Sequence, residues 1–142
     1  MAEKVVLDAS ALMAALLPGE PLKERARQML RGAVAGEIEL LAPTLLSYEV
    51  ANSLLKAERS KRRQVAPQAT DALLQKMEEL ELSLVQVPSH QIVQAARKYG
   101  CWGYDAAYLA LAENEGIQLI TADKRLYNSV RSEFDGIQYL GG

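Results

Sequence analysis

Five short runs of mostly apolar or β-branched residues, set apart by longer stretches with helical spacing, constrain this chain's fold more than any other feature. The runs are Val5-Val6-Leu7, Ile38 to Ala42, Leu82 to Val87, Ile117 to Thr121 and Ile137 to Leu140. They have the length and composition of strands buried in the middle of a protein. Between them, Ser10 to Leu17 is apolar on almost every side and is stopped by Pro18-Gly19, which predicts a buried helix. Pro21 opens a more polar helix carrying Leu22, Ala26, Met29, Leu30 and Ala33 at helical spacing, with Gly36 after it. Pro43 suits the first turn of a long helix reaching about Lys61, and Pro67 starts another to about Leu80. Ser89 reads as the N-cap of a helix ending near Tyr99 and Gly100. Tyr104 to Glu115 is a helix closed by Gly116, and Lys124 to Arg131 a short last one.

Strands alternating with helices in this way predict an α/β fold, a mainly parallel sheet with helices on both faces. The 142 residues fit one domain with a real core, and no repeat or linker divides residues 1–142. No apolar run approaches the roughly 20 residues that span a bilayer. The opening MAEKVVLDAS has no export signal, so the expected compartment is the cytoplasm. The lone Cys101 makes neither an internal disulfide nor a zinc cluster. A net charge of −2 argues against broad, charge-driven nucleic-acid binding, while local patches remain open.

In open parallel sheets ligands bind beyond the carboxyl ends of the strands. Asp8, closing VVLD, and Asp123, closing LITAD, both stand at such ends. Each also suits a helix N-cap, a role worth about 1 kcal/mol, and Ser10 competes with Asp8 for the first one. Asp105 heads a helix whose Tyr108, Leu109 and Ala112 form an apolar stripe below it. A carboxylate there is costly to bury unless paired, hydrogen-bonded or metal-bound. Glu49 shares a polar stripe with Asn52, Ser53 and Lys56, which a solvated helix face explains by itself. Four acids drawn together would repel by several kcal/mol, about 4 per close pair at intermediate dielectric. A divalent cation removes that cost. Oxygen ligands without His or Cys point to Mg²⁺ or Mn²⁺ rather than zinc.

The segments VVLDASAL, PTLLSYEVANSL, YDAAYLALAE and LITADKRL resemble, in order and spacing, the four acidic motifs of PIN-domain nucleases across residues 4 to 130. The nearest type is the VapC-like toxin ribonuclease of toxin–antitoxin pairs. The resemblance implies a three-layer α/β/α fold and metal-assisted hydrolysis of RNA phosphodiesters. It implies Asp8 as first metal ligand with Ser10 as its small polar companion, Glu49 as the helix-borne second acid, and Asp105 and Asp123 as third and fourth. Thr121 falls where a Ser or Thr hydrogen-bonds within the site. Mg²⁺ or Mn²⁺, a homodimer and a protein antitoxin that occludes the site are implied as well. One departure is Cys101-Trp102-Gly103-Tyr104, which replaces the Ser or Thr often found just before the third acid.

Lys56, Arg59, Lys61, Arg62 and Arg63, with Lys124 and Arg125, are the cations available to approach RNA, although a solvated helix terminus is the slightly favoured account of the cluster. Trp102 and Tyr104 either stack on bases or, the favoured expectation, pack over the Asp105 helix. Cys101 reads as a buried small hydrophobe and His90 as a surface residue. The rival reading is a non-catalytic RNA-binding or scaffold module, which loss of an acid would favour; none is lost. A phosphotransfer domain needs a second acid beside Asp8, and a dinucleotide-binding domain needs a Gly-rich loop after the first strand. Both are missing.

Overall fold

The computed structural model describes residues 2–62 and 65–142. In chain order the elements are β1 (Glu3–Leu7), α1 (Ala9–Leu16), α2 (Lys23–Val34), β2 (Ile38–Pro43), α3 (Leu46–Arg59), α4 (Pro67–Glu78), β3 (Ser83–Val85), α5 (Ser89–Tyr99), α6 (Gly103–Glu115), β4 (Gln118–Thr121), α7 (Lys124–Val130) and β5 (Ile137–Tyr139). The strands pair in parallel throughout, in the order β3-β2-β1-β4-β5.

That order has a direct consequence. The chain winds outward from β1 through β2 to β3, returns to the opposite side of β1 as β4, and ends outside it as β5. Parallel crossovers are right-handed almost without exception. Reversing the direction of winding therefore moves the helices to the other face, with α1 to α4 on one side and α5 to α7 on the other. The result is the expected three-layer α/β/α arrangement. It also leaves a crevice where the winding reverses, above the carboxyl ends of β1 and β4.

The core is built from the central strand, where Val5, Val6 and Leu7 are buried, together with Leu40, Leu41, Leu119 and Ile120 of its neighbours. From α1, Ala11 through Ala15 pack on it. An apolar stripe was expected on α6, but Ala106 through Ala112 are buried on every side. Its alanines let α6 lie close to β1, β2 and β4 while α5 covers it from outside. Gly100 and Gly116 end α5 and α6 with φ of 66° and 65°, a left-handed conformation that disfavours other residues.

Three of the boundaries that differ from expectation lie at prolines. Pro43 closes β2 instead of opening the next helix, pairing with Val85 on the last rung. A missing N–H is tolerated there because Thr44 N–H takes up the bond to the Val85 carbonyl at 3.1 Å. Ser89 is the first helical residue of α5, with Pro88 at the N-cap position and no side-chain cap. Helix α2 starts at Lys23, after Pro21. Among the described residues, no helix is long and apolar enough to cross a membrane.

Candidate active site

Asp8 leaves β1 still attached to β4, its N–H bonded to the Ile120 carbonyl at 3.2 Å. Only 6 % of it is exposed, and its carboxylate accepts three hydrogen bonds. Oδ1 accepts from the Ala11 N–H at 3.0 Å, which makes Asp8 the N-cap of α1, and from the Ser10 hydroxyl at 2.6 Å. Oδ2 accepts from the fully buried Thr121 hydroxyl at 2.5 Å. Ser10 thus holds Asp8 and does not displace it from the cap. The Ser10 oxygen in turn accepts the Ala122 N–H at 3.0 Å, and the Thr121 oxygen accepts the Asp123 N–H at 3.0 Å. Burial nevertheless dominates, lifting the Asp8 carboxyl from 3.8 to about 6 against the pull of these bonds, with Asp105 repelling it further.

Asp123 caps α7, its Oδ1 accepting from Arg125 N–H at 3.0 Å and Leu126 N–H at 3.2 Å. Both of these aspartates therefore cap helices, just beyond the carboxyl ends of the paired strands β1 and β4. Glu49 lies in the first turn of α3 and Asp105 in that of α6, each half-buried. Tyr108, one turn below Asp105 and 2 % exposed, donates its hydroxyl to Glu49 Oε1 at 2.6 Å. Burial and the neighbouring carboxylates hold this phenol above its ordinary range, so it stays a donor.

Burial raises the Glu49 carboxyl, partly offset by Tyr108 and increased by Asp105. Burial also raises that of Asp105, which Asp123 repels and Arg125 relieves. Asp105 is thus electrostatically coupled to each of the other three acids. Among the described residues, no three His, Cys, Asp or Glu side chains are arranged to hold a metal ion as they stand. The donor set nonetheless fits a divalent cation: its ligands are all oxygen, and the charges that destabilise one another are of one sign.

An open groove of about 1220 Å³ runs beside this cluster between α1 and α3, lined by Ser10, Met13, Tyr48, Glu49, Lys56 and Tyr104 among others. Tyr48 and Tyr104 line it, and Trp102 lies two residues before Tyr104. Tyr48 is 75 %, Trp102 86 % and Tyr104 70 % exposed, so the expectation that Trp102 and Tyr104 pack over α6 is overturned. Cys101, read as buried, is half-buried. His90 lies at the surface, as do Lys56, Arg59, Lys61, Arg62, Lys124 and Arg125; Arg63 falls outside the described residues. The site residue that sequence reasoning missed is Tyr108. Its signal was a tyrosine within an otherwise Ala/Leu buried helix, where a phenol needs a partner.

A model of the PIN domain family matches residues 5–130. The chain is similar to ribonuclease VapC3 of Pyrobaculum aerophilum, 37 % identical over 125 residues that cover 87 % of this chain and 92 % of that protein. Among solved structures, PAE2754 from Pyrobaculum aerophilum superposes with a TM-score of 0.67 at 23 % identity, covering 99 % of this chain and 93 % of that one. FitAcB from Neisseria gonorrhoeae gives 0.60 at 16 % identity, covering 96 % and 98 %. These two establish a shared fold. With the family match spanning most of its length, and a VapC ribonuclease as a relative across nearly all of it, this chain belongs to the PIN domain family.

Proposed function

We propose that the whole chain acts as one domain, a metal-dependent endoribonuclease and the toxin of a toxin–antitoxin pair, with Asp8, Glu49, Asp105 and Asp123 holding Mg²⁺ or, in its place, Mn²⁺. The observation that carries this reading is the electrostatic coupling of Asp105 to Asp8, Glu49 and Asp123, near the reversal of the sheet. Kinship with VapC3 supports ribonuclease as the activity. Bound there, the cation would lower the pKa of a water and offset charge developing on the phosphate. The chain's own groups orient the acids. Ser10, Thr121 and the Ala11 amide fix Asp8, the α7 amides fix Asp123, and Tyr108 fixes Glu49.

Tyr48, Trp102 and Tyr104 present free aromatic faces on which unpaired bases can stack. Lys56, Lys124 and Arg125 are exposed and offer charge to the flanking phosphates. The same groove suits a protein antitoxin that covers the site, and two copies are expected to pair. Purified protein should cleave a single-stranded RNA with Mg²⁺, lose activity to a chelator, and regain it with Mn²⁺. Asp105→Asn should abolish cleavage and relieve growth arrest on expression. Cleavage retained by that variant would sink the assignment.

A further inference from the structure

We propose that Tyr108 is the positioning residue of the second acid, holding Glu49 by Oε1 so that Oε2 is the oxygen presented to a cation. This rests on the proposed role of Glu49 as a ligand. Three observations place the phenol in that role. Its hydroxyl donates to Glu49 Oε1 at 2.6 Å, and the pair joins residues 59 positions apart. It is 2 % exposed in the tightly packed run Ala106 to Ala112, so its ring has no room to swing away. The backbone of Ala9, next to Asp8, faces the same phenol oxygen, so the ring also abuts the start of α1.

Glu49 needs such a partner more than Asp8 and Asp123 do. Asp8 and Asp123 are each gripped by backbone amides at a helix start. A glutamate has one more rotatable bond than an aspartate, and Glu49 lies in the first turn of α3. A neutral donor fixes its carboxylate without supplying a charge that would compete with the cation. Partners that orient metal ligands typically change metal affinity by about 10–100-fold when removed.

The test is a double-mutant cycle on Mn²⁺ binding, read by electron paramagnetic resonance of free Mn²⁺ with full-length, metal-stripped protein. Tyr108→Phe should weaken Mn²⁺ binding about tenfold and raise the half-saturating Mn²⁺ for cleavage to match, with kcat at saturating Mn²⁺ changed far less. In a Glu49→Ala background the same substitution should change nothing. Unchanged binding in Tyr108→Phe would overturn the proposal, and so would an equal loss in both backgrounds. Wild-type binding in Glu49→Ala alone would overturn the role of Glu49 itself, a separate failure. Should Tyr108→Phe not fold, a Mn²⁺-loaded wild-type structure decides instead. Glu49 bound through the single oxygen turned away from Tyr108 supports the proposal, and bidentate Glu49 refutes it.

Discussion

Replacing Asp8 by Asn should make the metal-free protein more stable at neutral pH while removing its activity. The burial that lifts the Asp8 carboxyl from 3.8 to about 6 means that the folded chain binds this proton more tightly than the unfolded chain does. The contribution is therefore fully present below pH 3.8 and is lost as pH rises through about 6. At about 1.4 kcal/mol per pH unit the separation costs the metal-free fold about 3 kcal/mol at neutral pH, of which about 2 is lost between pH 4 and pH 7. Asparagine carries no such charge, and the surrounding bonds can accept it. Its oxygen can keep the Ala11 and Ser10 bonds, and its amide can donate to Thr121 if that hydroxyl turns to Ser10, 3.2 Å away. Urea unfolding of both proteins in chelator at several pH values measures the difference directly. The wild type should lose about 2 kcal/mol relative to Asp8→Asn between pH 4 and pH 7, and Mn²⁺ should then stabilise the wild type far more than the variant. A stability difference independent of pH would refute the argument from burial.

Thr121→Val keeps the shape of a fully buried side chain but strips one donor from Asp8 and one acceptor from the Asp123 amide. It should cost about 1–3 kcal/mol in urea unfolding and slow cleavage. Trp102→Ala with Tyr104→Ala, both on exposed rings, should leave the melting temperature nearly unchanged and raise KM for a single-stranded oligonucleotide about tenfold or more. An unaltered KM would remove these rings from the substrate path.

The architecture was legible because the apolar runs are short and the helices between them long, a combination with few solutions besides a parallel sheet. Boundaries were harder wherever proline was involved. Pro43 can begin a helix or end a strand, and only its register with Val85 distinguishes the two. Within the site, Asp8 and Asp123 could be placed from the strands they follow, but capping and metal binding were read as alternatives. One carboxylate has two oxygens, and Asp123 uses only Oδ1 for its helix. Glu49 could not be read locally, since a polar helix face looks the same in solvent and beside an active site. Tyr108 was hidden by the opposite ambiguity: its ring completes an apolar face, while its hydroxyl answers to a residue 59 positions away. Trp102 and Tyr104 were expected indoors because large rings usually are, yet their position at the N-cap and in the first turn of α6 leaves them outside.

The clasp between Asp8, Ser10, Thr121 and Ala122 joins positions 111 to 113 residues apart. Its geometry sets an order of events during synthesis. The first acid is made 113 residues before the neighbour that grips it, which belongs to a strand inserted beside β1 only after β2 and β3 have been made. A growing or truncated chain that stops short of residue 121 has no hydroxyl to hold Asp8 and no fourth acid at all. Topology itself withholds the assembled clasp until residues 121 to 123 have been made.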